Sequence, residues 1–172
     1  MSAQTANPIR PHFVATISGS RPGCLGVVRA MTDNFHLLLV EDDPDVAEYL
    51  RLVLVKKAGM KVVVAADVQA ATDNLRHLEF DVLLTDIELP GSSGLDLATL
   101  ARELVPSMSI AVMTAHTSTE HAATARSGRA DEFLVKPIRG STLISTITAL
   151  ARQGRERRSV PGGGRPNAEM PG

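Results

Sequence analysis

Seven residues in this chain are of a type and in a setting that could do chemistry together. Glu41 and Asp42 follow the apolar run HLLLV directly, with Asp43 behind them. Thr85 and Asp86 end DVLLTD, Thr114 follows SIAVM, and Lys136 follows EFLV. Each polar group sits at the end of a short, continuously apolar segment. Carboxylates crowded to within about 4 Å repel by roughly 4 kcal/mol at an effective dielectric of 20, so a cation must relieve them. Oxygen ligands without His or Cys favour magnesium, which keeps several waters and needs one or two carboxylates plus a phosphate oxygen. Each residue also has a plain role open to it: Asp43 as a helix cap, Asp86 as the start of a turn before Pro90 and Gly91, Thr114 as a strand residue, Lys136 as a surface charge.

The elements that must position these groups alternate along the chain. Strands are expected at 36–40, 61–65, 81–85, 109–113 and 132–135, all short and apolar, as strands buried on both faces must be. Between them the period shifts to helical. Val46, Leu50, Val53 and Leu54 form one stripe that starts at Asp43 with Pro44 in first position and stops at Gly59. Asp67 caps a second helix with Val68, Ala71, Leu75 and Leu78. Leu97, Ala98, Ala101 and Leu104 mark a third, and Leu143, Ile144, Ile147, Leu150 and Ala151 the last. A segment STEHAATARSG has only alanines for an apolar face, so little core would hold it. Five strand–helix units require a doubly wound parallel sheet, an α/β fold of three layers, because parallel strands need right-handed crossovers. Ligands bind such sheets at the carboxyl ends of the strands, where the seven residues fall.

Composition narrows the class. With 172 residues, 44% hydrophobic and 22% charged, one ordinary globular domain is expected. The only cysteine, Cys24, allows no internal disulfide and no thiolate cluster. No apolar run approaches the roughly 18 residues of a membrane span, and no signal layout opens the chain, so a cytoplasmic protein without a membrane role is expected. The net charge of −1 hides a segregation: residues 1–32 hold three arginines and no acid, the body is strongly acidic, and the end is basic. An acidic body argues against direct nucleic-acid binding, which needs a concentrated basic face. The Pro- and Gly-bearing start reads as a flexible extension over 1–32, with Met31 a candidate start. The Gly-, Pro- and Arg-rich end reads as a disordered tail over 153–172, leaving a domain at 33–152.

Four motifs, VEDDP at 40–44, LLTDIELPG at 83–91, MTAH at 113–116 and FLVKP at 133–137, resemble the receiver domains of two-component response regulators. Their separations are family-like: 44 residues from Asp42 to Asp86, 28 to Thr114 and 22 to Lys136. The resemblance implies a flavodoxin-like sheet of order 2-1-3-4-5, the order the chemotaxis member is known for. It implies that Asp86 accepts a phosphoryl group and that the protein catalyses its own aspartyl phosphorylation and autodephosphorylation. Glu41, Asp42, Asp86 and the Glu88 backbone carbonyl would hold Mg2+. Lys136 would pair with Asp86 at rest and with phosphate afterwards, Thr114 would donate its hydroxyl, and Phe133 would be the switch aromatic. Pro137 would be a cis proline that turns Lys136 inward. His116 would affect phosphate lifetime. Gly128 and Arg129 depart from the family's usual Gly-Ala turn.

The partners so implied are a sensor histidine kinase or histidine phosphotransferase and a downstream effector protein. The expected protein is a single-domain regulator, without an output domain, as a monomer or a phosphorylation-linked dimer. Two other functions share parts of the pattern. An aspartate-nucleophile phosphohydrolase would want its nucleophile after the first strand with a second aspartate two places on, where this chain has Glu88 after the third. A receiver-like module that binds without phosphorylation would not need every pocket residue.

Overall fold

The computed structural model describes residues 34–115 and 130–159. The elements are β1 (His36–Val40), α1 (Pro44–Ala58), β2 (Lys61–Ala65), α2 (Val68–His77), β3 (Val82–Asp86), the short pair β4 (Glu88–Leu89) and β5 (Ser92–Ser93), α3 (Gly94–Leu104), β6 (Ser109–Thr114), β7 (Glu132–Val135) and α4 (Gly140–Ser159). Five strands make one parallel sheet in the order β2-β1-β3-β6-β7. Since β4 and β5 form a separate antiparallel hairpin, this is the expected 2-1-3-4-5 order of a flavodoxin-like fold.

Side-chain alternation along the central strands divides the core in two. Leu38, Val40, Leu83, Ile110 and Val112 face Ala71 and Leu75 of α2 and Leu97, Ala98 and Ala101 of α3. Their neighbours Leu37, Leu39, Val82, Leu84, Ala111 and Met113 face Leu50 and Leu54 of α1 and Leu143, Ile147, Leu150 and Ala151 of α4. Every residue of β3 and β6 is buried, which is why these strands read as unbroken apolar runs.

Local chemistry sets the helix ends. The Asp43 carboxylate accepts hydrogen bonds from the backbone N–H groups of Asp45 (2.9 Å) and Val46 (3.2 Å), Pro44 takes the first helical position, and Gly59 closes the helix at φ 67°. That left-handed conformation suits glycine because a Cβ would be strained there. Asp67 caps α2 by accepting from Ala70 N at 2.7 Å.

Two features differ from the sequence reading. The hairpin β4–β5 is too short for a periodic signal, so it was not foreseen. Helix α4 runs on to Ser159 instead of ending near residue 152, where the composition suggested a tail. The arginines that gave this stretch its disordered look are anchored: Arg155 and Arg158 reach Asp81, and Arg157 reaches Asp131. Residues 1–33, the alanine-faced segment at 118–128 and residues 160–172 lie outside the described residues.

Candidate functional site

The strand register builds the site. Val40 is level with Thr85, Asp86 with Met113, and Thr114 with Val135. One step further along each strand, Glu41, Asp86, Thr114 and Lys136 arrive at one edge of the sheet. The chain continues across this edge by backbone hydrogen bonds from Ile87 N to Met113 O (2.9 Å) and from Lys136 N to Thr114 O (2.8 Å).

Asp86 lies at the centre and is 8% exposed, with Glu41 beside it at 3%. The Lys136 ammonium bridges the two, donating to Asp86 Oδ2 at 2.6 Å and to Glu41 Oε2 at 2.9 Å. The other Asp86 oxygen, Oδ1, accepts a long bond of 3.4 Å from the Glu88 N–H. Asp42 is exposed, yet ligand atoms of Glu41, Asp42 and Asp86 all fall within 4.8 Å of one another. Two of these carboxylates share the Lys136 ammonium, and the third lies close beside them.

Electrostatics record the imbalance. Burial raises the Glu41 pKa above the ordinary carboxylate value; the hydrogen bond and charge of Lys136 oppose this but do not overcome it, and the neighbouring Asp86 adds to the rise. Lys136 is raised as well. Burial alone would lower it, but its bonds to Asp86 and Glu41 outweigh that effect. The ammonium is thus firmly charged, while one of its two partners is held in an environment that resists charge.

Thr114 is buried at the edge of the site, at the end of β6. Phe133, on β7 level with Val112, is half-buried against the core face of α2 and α3. Glu88 is exposed in the hairpin, and the Lys136–Pro137 peptide is cis. His116, Gly128 and Arg129 lie outside the described residues.

Of two further neighbours of Asp86, Thr85 was read only as a polar group at the strand end, and Gly94 was not singled out from the sequence. The Thr85 hydroxyl donates to the Asp86 carbonyl at 2.9 Å. Gly94, first residue of α3, passes so close that a Cβ there would overlap the same carbonyl oxygen. Its signal was legible in principle: glycine is a poor helix former, so one opening a helix needs a packing reason. Among the described residues the set offers oxygen donors only, with an excess of negative charge and no nitrogen or sulfur ligand, and it fits a hard divalent cation.

A parallel sheet of this order, carrying a lysine-bridged aspartate at the end of its third strand, defines a class that sequence comparison identifies. Residues 37–148 match the model of the response regulator receiver domain, and the chain belongs to that family. It is 31% identical over 118 residues to the DNA-binding response regulator MtrA of Mycolicibacterium smegmatis, covering 69% of this chain and 51% of that one. It is 33% identical over 135 residues to the response regulator protein PilR of Pseudomonas aeruginosa, covering 78% and 30%. The chain thus spans about half or less of the length of these two relatives. Among solved structures it resembles a CheY-like receiver domain protein from Methanospirillum hungatei, with a TM-score of 0.65 and 27% identity over 71% of this chain and 98% of that one. No helix among the described residues is long and apolar enough to cross a membrane.

Proposed function

We propose that this chain accepts a phosphoryl group on Asp86 from a phosphohistidine, supplied by a sensor histidine kinase or a histidine phosphotransferase, and signals by docking on an effector protein. The observation that carries this reading is the central, nearly buried Asp86 held by Lys136 beside Glu41 and Asp42. A carboxylate oxygen of Asp86 would attack phosphorus as the bond from phosphorus to the histidine nitrogen breaks. Such a transfer asks the protein mainly for positioning and charge stabilisation. Thr85 and Gly94 fix the Asp86 backbone, so its carboxylate is presented in one orientation. Lys136, already in contact, would follow the charge from the carboxylate to the phosphoryl oxygens, and the Thr114 hydroxyl would donate to them.

The carboxylates of Glu41, Asp42 and Asp86, with the backbone carbonyl of Glu88, are the groups that would hold Mg2+. When bound, the ion would offset negative charge on the incoming phosphoryl group. The acyl phosphate adds about −1.5 to −2 charge at neutral pH. Drawing Thr114 and Lys136 toward it would free space at the end of β6, and Phe133 could repack inward to report the change. The reading places the protein in the cytoplasm with its donor, and its phosphorylated form acts as a monomer or a dimer.

Incubation with acetyl phosphate and Mg2+ followed by intact-mass measurement tests this. One phosphoryl should be gained, and none in Asp86→Asn. Steady turnover of an organic phosphate would point to a phosphohydrolase, and no modification of the wild type to a module that binds without phosphate.

A further inference from the structure

At the sheet edge opposite Asp86 a cavity of about 440 Å³ opens between edge strand β2, the end of α2 and the last turns of α4. The fold leaves it there for identifiable reasons. As an edge strand, β2 is covered only in part, and Val63 is half-buried. Helix α2 ends at His77, and the chain turns to extended backbone at Leu78, whose side chain stays 44% exposed beside the opening. Helix α4 forms the far wall because Gly154 lets it lie directly on the backbone at Asp81, where a Cβ would overlap the carbonyl.

The walls are apolar and the rim is cationic. Val63, Leu78 and Phe80 supply hydrocarbon. Lys61, Arg155 and Arg158 face only two acids, Glu79 and Asp81. Arg155 and Arg158 are both committed to the single carboxylate of Asp81 and hold the wall in place. The side chains of Lys61 and His77, both exposed, have no hydrogen-bond partner among the described residues. Ligand cavities typically measure about 300–1,000 Å³, with apolar walls and a few placed polar groups, and this one has that size and build.

We propose that this cavity binds a small organic anion, with a flat apolar body against Val63, Leu78 and Phe80 and a carboxylate facing Lys61 and His77. A neutral body would leave the cationic rim unanswered, and a bare inorganic anion would leave the hydrocarbon walls in water. The site lies across the sheet from the carboxylate cluster, so it stands or falls separately from phosphorylation of Asp86.

Amide chemical-shift titration of the full chain with naphthylacetate tests the site. The Lys61, Val63, Leu78 and Phe80 signals should move together and saturate, while those around Asp86 stay still. Inorganic phosphate and the neutral naphthylethanol should each bind about tenfold more weakly or worse, since each lacks one half of the recognition. Lys61→Met should weaken the probe by about tenfold and Lys61→Arg should not. Leu78→Gln should also weaken it, with the remaining spectrum unchanged in all three variants. Scattered or unsaturated shifts at millimolar probe, phosphate binding as tightly as naphthylacetate, or unaltered affinity in Lys61→Met would overturn the assignment.

Discussion

Buried acids stand at both edges of this sheet, and they are treated in opposite ways. At the amino edge, Asp81 is 1% exposed; its carboxylate accepts from His36 N at 2.9 Å and from Arg155 at 2.9 Å, and also from Arg158. Asp131 repeats the pattern, accepting from Ile110 N at 2.7 Å, Arg102 at 2.8 Å and Arg157 at 3.0 Å. Each carboxylate thus meets two guanidinium groups and the first free N–H of a neighbouring strand. Burial, the largest single effect, pushes both pKa values up, but the hydrogen bonds outweigh it and both end below the ordinary range. At the carboxyl edge, Glu41 and Asp86 share Lys136 with Asp42 close by, and Glu41 ends above the ordinary range. At the amino edge both carboxylates are saturated by donors and serve the fold. Among the described residues the carboxyl edge is short of positive charge, and the proposed cation would make up that deficit for an incoming phosphoryl group.

The contrast is broken most severely at Asp81. Asp81→Ala should cost about 3 kcal/mol in urea denaturation, since a buried acceptor is lost to His36 N and two cations at once. The arginine side chains are 38% and 32% exposed and can turn to water, which keeps the cost from rising further. Gly154→Ala should cost about 2 kcal/mol, because the new methyl meets backbone at Asp81 and α4 must lift from the sheet.

Acid sharpens the same comparison. For Asp81 and Asp131 the folded pKa is lowered, so their stabilisation is complete above the unfolded value near 4 and is lost as pH falls through the folded one. The double variant Asp81→Asn, Asp131→Asn should therefore show a flatter fall in stability below about pH 4 than the wild type. Glu41 has the opposite sign. Its folded pKa is raised, so its contribution is present below the unfolded value and lost as pH rises through the folded one. Glu41→Gln should accordingly raise stability at neutral pH, by about 1 kcal/mol, while weakening cation binding. The smallest effect is expected on the surface. Arg51 pairs with Glu48 at 2.6 Å on the outer face of α1, and Arg51→Ala should leave the urea midpoint unchanged.

How much of this was legible in the sequence depended on whether the signal was local. The caps Asp43 and Asp67, Pro44 and Gly59 marked helix boundaries because capping is decided within a few residues. The strands were readable because burial on both faces removes polar residues from them, and strand ends then located Glu41, Asp42, Asp86, Thr114 and Lys136. What escaped depends on distant partners. Arg155, Arg157 and Arg158 looked like a solvated tail until Asp81 and Asp131 were placed beneath them, more than twenty residues away in sequence. The bridge from Lys136 to Glu41 spans 95 residues and was hidden for the same reason, since only its pairing with Asp86 was expected.

The central claim is that the carboxyl edge is short of positive charge and recruits a divalent ion. Calorimetric titration of the full chain with Mg2+ at neutral pH tests it most directly. The account predicts a single binding event that is abolished in Asp86→Asn, strongly weakened in Asp42→Asn, and untouched by Asp131→Asn at the saturated edge. Absence of Mg2+ uptake by the folded wild type, or equal uptake by Asp86→Asn, would contradict it.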